Sequence, residues 1–479
     1  MRVCLSNPRW RDGAKKGIRA ACRVPNMAGA NELTFMPFPF WLAYAAAVLE
    51  RDGHDVIVVD AIGEDMEEDE YYRRVVSFKP DLIVNEMAAG SYDIDLQIAA
   101  KLKEMTGAPI AMCGPHPTAI PKEVLGNKCV DYVLLGEMEQ TLQELVKALR
   151  DGTSVEGMDG LAWRGADGAP VVGKRRALLE DLDTLPYPHR ETLPLKNYRV
   201  GGYPTPTMYM YATRGCPYKC TFCLWPQTMY KLGSYRMRHP KAVLDEVEYV
   251  EKRWGPFKSI YFDDDTFNLG HARMIAFADD LKKRPWRIPF GCNARTDHFT
   301  DEMMERLADV GLFNIRVGVE SGDPEVLKRT KKDLDLATVP RCIEMAHRHG
   351  VKVHVTFTIG LSGESQESIQ KTIDFAKTIT PDSVAFTITT PFPGTAYYDE
   401  VVKNGFLVNK NWNDFNVIKS SVVRTETMTA DQVTAAEKQV MRKVYFSPSY
   451  LIRRFRYAMN LRELTALARK GSKLLVGRY

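Results

Sequence analysis

The chain has 479 residues, of which 45% are hydrophobic and 26% charged. This length predicts two or three domains with their own cores. A formal net charge of +4 excludes a general polyanion binder, and no segment reaches the roughly 18 apolar residues of a membrane span. MRVCLSNPRW at the start predicts a buried strand rather than a signal peptide. The nine cysteines are mostly dispersed, which favours a reducing cytoplasm over a disulfide framework.

Residues 1–152 alternate short apolar segments with amphipathic ones. The predicted strands are 2–8, 54–61, 80–87, 108–115 and 130–137, and the predicted helices are 41–53, near 66–78, 92–107 and 139–152. This alternation is typical of a doubly wound, Rossmann-like parallel sheet. Ligands of such sheets bind beyond the carboxyl ends of the strands.

The rest of the chain predicts three further regions. Residues 153–205 contain a glycine-rich turn and several prolines, which predict a hairpin and an extended linker. Residues 206–400 repeat strand and helix six times, which predicts a partial (β/α)6 barrel. The predicted strands are 207–215, 258–265, 288–295, 313–321, 352–360 and 383–390. Residues 401–479 predict a helical C-terminal region.

The last 39 residues, 441–479, are strongly basic, with ten Arg or Lys and one acid, Glu463. Apolar residues recur there at roughly helical spacing. One interpretation is a helix packed on the barrel with a solvated basic face. The other is contact with an anionic partner or a membrane surface.

RGCPYKCTFC (214–223) carries three closely spaced cysteines, Cys216, Cys220 and Cys223, after the first predicted barrel strand. A structural zinc site would need a fourth ligand, and none is near in the sequence. A disulfide would leave one thiol over. An iron–sulfur cluster normally takes four cysteines, so three would leave one iron free for a substrate or cofactor.

This triplet, with the aromatic Phe222 before its last cysteine, resembles the signature of the radical S-adenosylmethionine (SAM) superfamily. The resemblance implies that Cys216, Cys220 and Cys223 hold a 4Fe-4S cluster. It also implies that the free iron binds SAM, whose cleavage gives a 5′-deoxyadenosyl radical. The other positions similar to the SAM-binding segments of the family are Phe222, Asp264, Arg295, Glu320, Ser321, Thr358, Ile359, Gly360 and Leu361.

GPHPTAIP (114–121) and VDYVLLGEMEQT (130–141), with 17–26 and 38–49, resemble the cobalamin-binding domain fused to many radical SAM enzymes. The positions that this resemblance assigns to corrin contact are Gly114, Pro115, His116, Pro117, Thr118, Gly136 and Glu137. The Asp-x-His-x-x-Gly motif of cobalamin mutases is absent, so cobalamin is expected without a histidine ligand from that motif. A relic domain, or one adapted to another ligand, stays open.

Together the resemblances imply a cobalamin-dependent enzyme that methylates an unactivated carbon through the deoxyadenosyl radical and methylcobalamin. The alternatives are radical cyclisation, rearrangement or C–C coupling without methyl transfer and, more distantly, a non-catalytic cobalamin or redox sensor. The expected partners are a small-molecule substrate, such as a lipid or an anionic metabolite, and a flavodoxin or ferredoxin. No motif favours nucleic acid. The expected location is cytoplasmic, with peripheral membrane contact through 441–479 as a further option.

Overall fold

The computed structural model describes residues 1–12, 15–19, 26–29, 35–417, 420–448 and 450–452. Residues 20–25 of the segment 17–26, and residues 449 and 453–479 of the basic stretch 441–479, lie outside the described residues. The predicted α/β class is confirmed, with two mainly parallel sheets. Within the described ranges no helix has the length and apolar character needed to cross a membrane.

The first domain is built around a seven-stranded sheet. Its elements in chain order are β1 (Arg2–Asn7), β2 (Arg11–Asp12), β3 (Lys15–Ile18), β4 (Asn26–Gly29), α1 (Phe40–Arg51), β5 (Asp55–Asp60), α2 (Glu68–Phe78), β6 (Leu82–Glu86), α3 (Tyr92–Thr106), β7 (Ile110–Cys113), α4 (Pro115–Ala119), α5 (Pro121–Leu125), β8 (Tyr132–Leu134), α6 (Glu139–Asp151), β9 (Leu161–Arg164) and β10 (Pro170–Val172). The strand order is β10-β9-β8-β7-β6-β1-β5, and β2–β4 form a separate three-stranded sheet. The strands from β5 to β8 run parallel, as predicted.

Helices cover both faces of this sheet. The core with α2 and α3 is separate, whereas the core with α1 and α6 continues into the second domain. The residues of α1 from Phe40 to Leu49 are all buried, because the helix lies between the sheet and the second domain. Phe40 stacks on Tyr211 with ring centroids 3.9 Å apart. The two domains therefore share one hydrophobic core.

The predicted hairpin of 153–205 belongs to the first sheet. β9 pairs antiparallel with β8, and β10 pairs with β9, so the sheet continues to Val172 beyond the predicted boundary at 152. The hairpin gives the edge strand β8 a hydrogen-bonded partner, which an exposed edge would lack. The linker that follows is tied down as well, since Tyr198 donates a hydrogen bond to buried Asp60 over 2.8 Å.

The second domain is a six-stranded parallel sheet. Its elements are β11 (Thr207–Met210), β12 (Thr213–Gly215), α7 (Leu224–Thr228), β13 (Tyr235–Met237), α8 (Pro240–Trp254), β14 (Ser259–Phe262), α9 (His271–Lys282), β15 (Phe290–Ala294), α10 (Asp301–Asp309), β16 (Leu312–Glu320), α11 (Pro324–Arg329), α12 (Thr338–Arg348), β17 (Lys352–Ile359), α13 (Gln366–Thr378), β18 (Ser383–Ile388), α14 (Ala396–Lys403) and α15 (Ala430–Tyr445). The order β11-β14-β15-β16-β17-β18 follows the chain, and β11 does not pair with β18. The prediction of a partial barrel is thus confirmed.

The first predicted barrel strand, 207–215, is broken in two. β11 ends at Met210, and β12 leaves the sheet to pair antiparallel with β13. The break is stabilised by Asp264, whose carboxylate accepts hydrogen bonds from the Ala212 amide and the Thr213 hydroxyl in place of sheet pairing. This break sends the chain into the cysteine loop at the carboxyl edge of the barrel.

Candidate functional site

The cysteine loop lies between β12 and α7. The Cys223 amide donates to the Cys220 carbonyl over 3.2 Å, which closes a tight turn. The side-chain amide of Gln227 contacts three loop carbonyls, at 3.3 Å from Cys220, 3.0 Å from Thr221 and 2.8 Å from Cys223. Gln227 therefore holds the loop from within α7. Gln227 is not predictable from the sequence, because a single glutamine after the triplet carries no recognisable signal.

The three thiols form a donor set that fits an iron–sulfur cluster. Burial raises the pKa of Cys216 and Cys220, and it raises the pKa of Cys223 well above its usual range, with neighbouring Cys220 adding to the effect. Thiolates here need compensating positive charge, which iron would supply. Among the described residues, no three His, Cys, Asp or Glu side chains are grouped as ligands of one metal ion. A cluster needs a wider spacing, since each thiolate binds a different iron.

Asp264 and Asp265, which follow the second barrel strand, have different contacts. Asp264 is fully buried and holds the strand break, so its carboxylate is already engaged. Asp265 accepts a hydrogen bond from the Gly215 amide over 3.2 Å, and its charge raises the pKa of Cys216. The carboxylate beside the cysteines is therefore Asp265, whereas Asp264 supports the backbone. Contact of Asp264 with SAM stays a prediction.

Arg295 joins three loops around the cysteines. Its guanidinium pairs with both carboxylate oxygens of Asp297 at 3.0 and 2.7 Å and stacks 3.6 Å above the Tyr218 ring. It also donates to the Lys332 and Asp333 carbonyls at 3.0 and 2.9 Å. Arg295 thus positions the loop that carries Lys332. Its contact with SAM stays a prediction, and its donors are largely engaged within the protein.

Glu320 and Lys332 form a largely buried ion pair near the cysteines, with side chains 12% and 11% exposed. Lys332 lies 3.3 Å from Glu320, and the Thr358 hydroxyl donates to the second Glu320 oxygen over 2.8 Å. Burial alone would lower the pKa of Lys332, but the Glu320 carboxylate raises it. Glu320 has φ of 72°, a backbone conformation that costs about 1–3 kcal/mol outside glycine. Such strain is common at binding sites, and it fits the predicted role of Glu320.

The other predicted SAM positions differ in where their side chains lie. Ser321 is fully buried and its hydroxyl faces Thr372 over 3.2 Å, towards α13. Phe222 packs against the main core. In the segment Thr358–Leu361, the Gly360 amide donates to Glu364 over 2.5 Å, and burial raises the Glu364 pKa to about 8. Ile359 and Leu361 are fully buried, so only Thr358 and the backbone could meet a ligand.

The first domain presents α4 to the cysteine loop. Gly114 precedes this helix with φ of 111°, and a Cβ there would lie 2.8 Å from the Met87 carbonyl. A Cβ at Gly394 would lie 3.0 Å from the Ala119 side chain and 2.7 Å from the Thr228 side chain. Helices α4 and α7 therefore meet beside Gly394. Pro115 and Pro117 stiffen α4, and Thr118 accepts a hydrogen bond from the Gly136 amide over 3.0 Å.

Buried polar groups at this edge fit a ligand that carries amides, as cobalamin does. Both ring nitrogens of His116 and both side-chain atoms of Asn85 are buried without a hydrogen-bond partner in the described part of the chain. Burial lowers the pKa of His116 to about 3, so the ring is neutral. Its edge packs between Tyr92 and Trp412. Each unsatisfied polar group is costly unless a ligand satisfies it.

A small interdomain cavity opens beside His116. Its lining is mostly apolar and comes from both domains: Arg19, Met87, Ala88, Ala89, Pro115, His116, Leu224, Phe392 and Pro393. Leu224 directly follows Cys223, so the cavity adjoins the cysteine loop. Two of the predicted corrin positions, Pro115 and His116, therefore line a cavity that reaches the residue next to the predicted cluster ligand Cys223.

Glu137 has a role that the sequence did not indicate. Its carboxylate pairs with Arg236 at 2.6 Å and with Arg214 at 3.3 Å, and Glu139 pairs with Arg214 at 2.6 Å. All four side chains are at most 8% exposed. We call these residues the interdomain clamp. Contact of Gly136 and Glu137 with a corrin stays a prediction, but the Glu137 oxygens are already paired.

Comparisons with known proteins agree with both halves of the chain. Residues 28–146 match the B12 binding domain, and residues 210–376 match the Radical SAM superfamily. An uncharacterised methyltransferase of Pyrococcus horikoshii is 29% identical over 87% of this chain and 89% of its own. The anaerobic magnesium-protoporphyrin IX monomethyl ester cyclase of Rubrivivax gelatinosus is 28% identical over 76% of this chain and 66% of its own.

A solved structure shares the fold. The radical SAM methyltransferase TsrM of Kitasatospora setae, with cobalamin and a 4Fe-4S cluster bound, aligns with a TM-score of 0.66 at 18% identity. The alignment covers 84% of this chain and 75% of TsrM. The chain thus carries a B12 binding domain followed by a domain of the Radical SAM superfamily.

Proposed function

We propose that this protein methylates an unactivated carbon of a small-molecule substrate, with a 4Fe-4S cluster, SAM and cobalamin as its cofactors. The observation that carries the proposal is the interdomain cavity, which places the B12-binding domain directly against the cysteine loop. A carbon without a lone pair cannot attack an ordinary methyl donor. When bound, the cluster with SAM would supply a radical that removes hydrogen, and cobalamin would supply the methyl group.

The chain's own residues would bind, orient and exclude water. Cys216, Cys220 and Cys223 would hold the cluster, and Glu320 would face the SAM that it carries. His116 and Asn85 would satisfy their buried polar atoms against the corrin side. The mostly apolar lining of the cavity would keep water away from the reacting groups.

Product analysis tests the proposal. The protein is purified without oxygen, reconstituted with iron, sulfide and hydroxocobalamin, and desalted before all three are quantified. Methyl transfer should give S-adenosylhomocysteine in addition to deoxyadenosine, with the methyl label of SAM recovered in a product. The Cys216→Ala, Cys220→Ala, Cys223→Ala variant is the control, and retention of its cluster would overturn the assignment of the ligands.

A radical cyclisation without methyl transfer is the second candidate. It is favoured by one observation, the 28% identity to a cyclase over 76% of this chain. Such an enzyme should form deoxyadenosine without S-adenosylhomocysteine. The relative named as a methyltransferase matches more of both chains, so methyl transfer ranks first. A sensor would form neither product.

We propose a flavodoxin or ferredoxin as electron donor in a reducing cytoplasm. The support is chemical, because reductive cleavage of SAM needs a low-potential electron and the described cysteines are all free. Peripheral membrane contact through 441–479 is a separate proposal. Neutralising Arg453, Arg454 and Arg456 should weaken binding to anionic vesicles, and unchanged binding would count against it.

A further inference from the structure

The inside of the barrel is polar and reachable from solvent. Side chains on β16, β17 and β18 alternate between buried and partly exposed positions, because one face of each strand packs on helices. The partly exposed face lines the barrel interior and comprises Asn314, Arg316, Gly318, Glu320, His354, Thr356, Thr358, Ser383, Ala385 and Thr387. Closed barrels instead fill this space with branched apolar side chains. The polar face of the barrel interior therefore stays accessible to a ligand.

One row of this interior carries Asn293, Arg316, His354 and Ser383 side by side. Register places Asn293 beside Arg316, Arg316 beside His354, and His354 beside Ser383. The other members of the row have partners, since Tyr261 donates to Asn293 over 2.7 Å and His354 contacts Ser383 over 2.8 Å. The Arg316 guanidinium forms neither an ion pair nor a hydrogen bond with any residue that the structure describes.

An unpaired arginine inside the fold sets this position apart. In contrast to Arg316, the following buried arginines each have an acidic partner: Arg19, Arg190, Arg214, Arg236, Arg238 and Arg295. Burial raises the pKa of Tyr203 and Tyr209 well above the usual range, and the Arg316 guanidinium opposes that rise. The Arg316 charge thus acts on both tyrosines, and Asp263 is the acidic group that also acts on them.

We infer that Arg316 binds an anionic group of the substrate, a carboxylate or a phosphate. The inference rests on the proposed function, because it treats the barrel interior as part of the substrate site. A planar guanidinium matches such groups through two parallel hydrogen bonds. Arg316 lies four residues before Glu320 on the same face of β16, which is about 13 Å at 3.3 Å per residue. An anionic end at Arg316 would leave the rest of a small metabolite pointing towards the cysteine loop.

Chemical footprinting tests the site without knowledge of the substrate. Phenylglyoxal modifies accessible guanidinium groups, and mass spectrometry of the reconstituted protein reports the rate at each arginine. Arg316 should react, and inorganic phosphate should slow its modification severalfold relative to chloride at equal ionic strength. Arg348, exposed on α12 and paired with Asp301 at 2.6 Å, is the internal control and should show no such protection. Equal rates for Arg316 in phosphate and chloride would overturn the inference.

Fractionation of a metabolite extract tests the link to turnover. The extract should raise deoxyadenosine formation by the wild-type protein, and an anion-exchange resin should remove that stimulation. Arg316→Gln should lose the stimulation at least tenfold, Arg316→Lys should lose less, and Arg348→Gln should keep it. Stimulation in the unretained fraction, or unchanged stimulation of Arg316→Gln, contradicts the inference. Wild-type protein that forms no deoxyadenosine contradicts the proposed function instead, and the footprint then decides the anion site alone.

Discussion

Removing Glu139 from the interdomain clamp should destabilise the protein and loosen the cysteine loop. Glu139 lies in the first turn of α6, and its partner Arg214 lies two residues before Cys216. Arg214 is also stacked against the rings of Trp41 and Tyr44, at 4.9 and 4.8 Å. Glu139→Ala therefore leaves a buried guanidinium with a single carboxylate neighbour at 3.3 Å.

The burial of this pair sets the size of the effect. The Arg214 and Glu139 side chains are 3% and 4% exposed, so solvent cannot replace the lost partner. Removing one member of a buried pair costs about 3–5 kcal/mol. At about 2–4 °C per kcal/mol for a domain of this size, Tm should fall by roughly 6–20 °C. Because the guanidinium that loses its partner lies two residues before Cys216, the iron content after desalting should fall as well.

Thermal melts and iron analysis check this prediction together. The matched control is Glu144→Ala, which removes a carboxylate from the same helix. Glu144 also pairs with an arginine, Arg176, which follows β10 in the chain. The Glu144 side chain, however, is 49% exposed. Loss of such a pair costs about 0–1 kcal/mol. A second comparison is the double variant Arg214→Met, Glu139→Leu, which removes both charges and should recover part of the lost stability.

Two results would refute the reasoning. Equal Tm losses for Glu139→Ala and Glu144→Ala would mean that burial does not strengthen the clamp. A large Tm loss with unchanged iron content would mean that the clamp stabilises the domains without supporting the cysteine loop.

Three further predictions concern single residues of the site. Burial raises the Glu364 pKa to about 8, so the folded protein keeps a proton that the unfolded chain releases above about pH 4.5. Stability should fall as pH rises towards 8, by at most about 1.4 kcal/mol per pH unit, and Glu364→Gln should flatten the change in Tm between pH 6 and 8. Gln227→Ala should lower retained iron about twofold or more, because each lost hydrogen bond is worth about 0.5–1.5 kcal/mol, whereas exposed Gln370→Ala should not. Gly318→Ala would place a Cβ 2.1 Å from Glu320. It should lower kcat/KM for SAM roughly tenfold or more at unchanged iron content. Parallel pH profiles, unchanged iron in Gln227→Ala, or normal SAM kinetics in Gly318→Ala would contradict these predictions in turn.

Local patterns in the sequence were sufficient to predict the elements of both sheets. β6 begins with three consecutive apolar residues, and β16 alternates apolar with polar or small residues from Ile315 onwards, so both patterns predict a strand. The departure of β12 from the barrel did not follow from any local pattern. It depends on Asp264, which is distant in sequence and accepts hydrogen bonds at the strand break. Such long-range contacts override propensity.

The candidate site was predictable only where spacing carries the chemistry. Cys216, Cys220 and Cys223 are recognisable because three ligands must lie on one short loop. Lys332 and Gln227 were missed, since a single lysine or glutamine has no pattern until the fold brings it to the cysteines. Glu137 shows the opposite case, because a residue at the expected edge of the sheet has its carboxylate taken by arginines from the other domain.

The interdomain clamp also fixes the position of the two predicted cofactor regions relative to each other. Glu137 follows Gly136 directly, and Arg214 is separated from Cys216 by one residue, so no flexible segment lies between the pairs and the predicted ligands. Separating the domains would expose buried ion pairs and the shared core around α1. With about 3–5 kcal/mol for each broken buried pair, such an opening would be rare during turnover. We therefore expect the substrate to reach the cavity between domains that stay docked, so that the distance between cluster and cobalamin is set by folding rather than by each binding event.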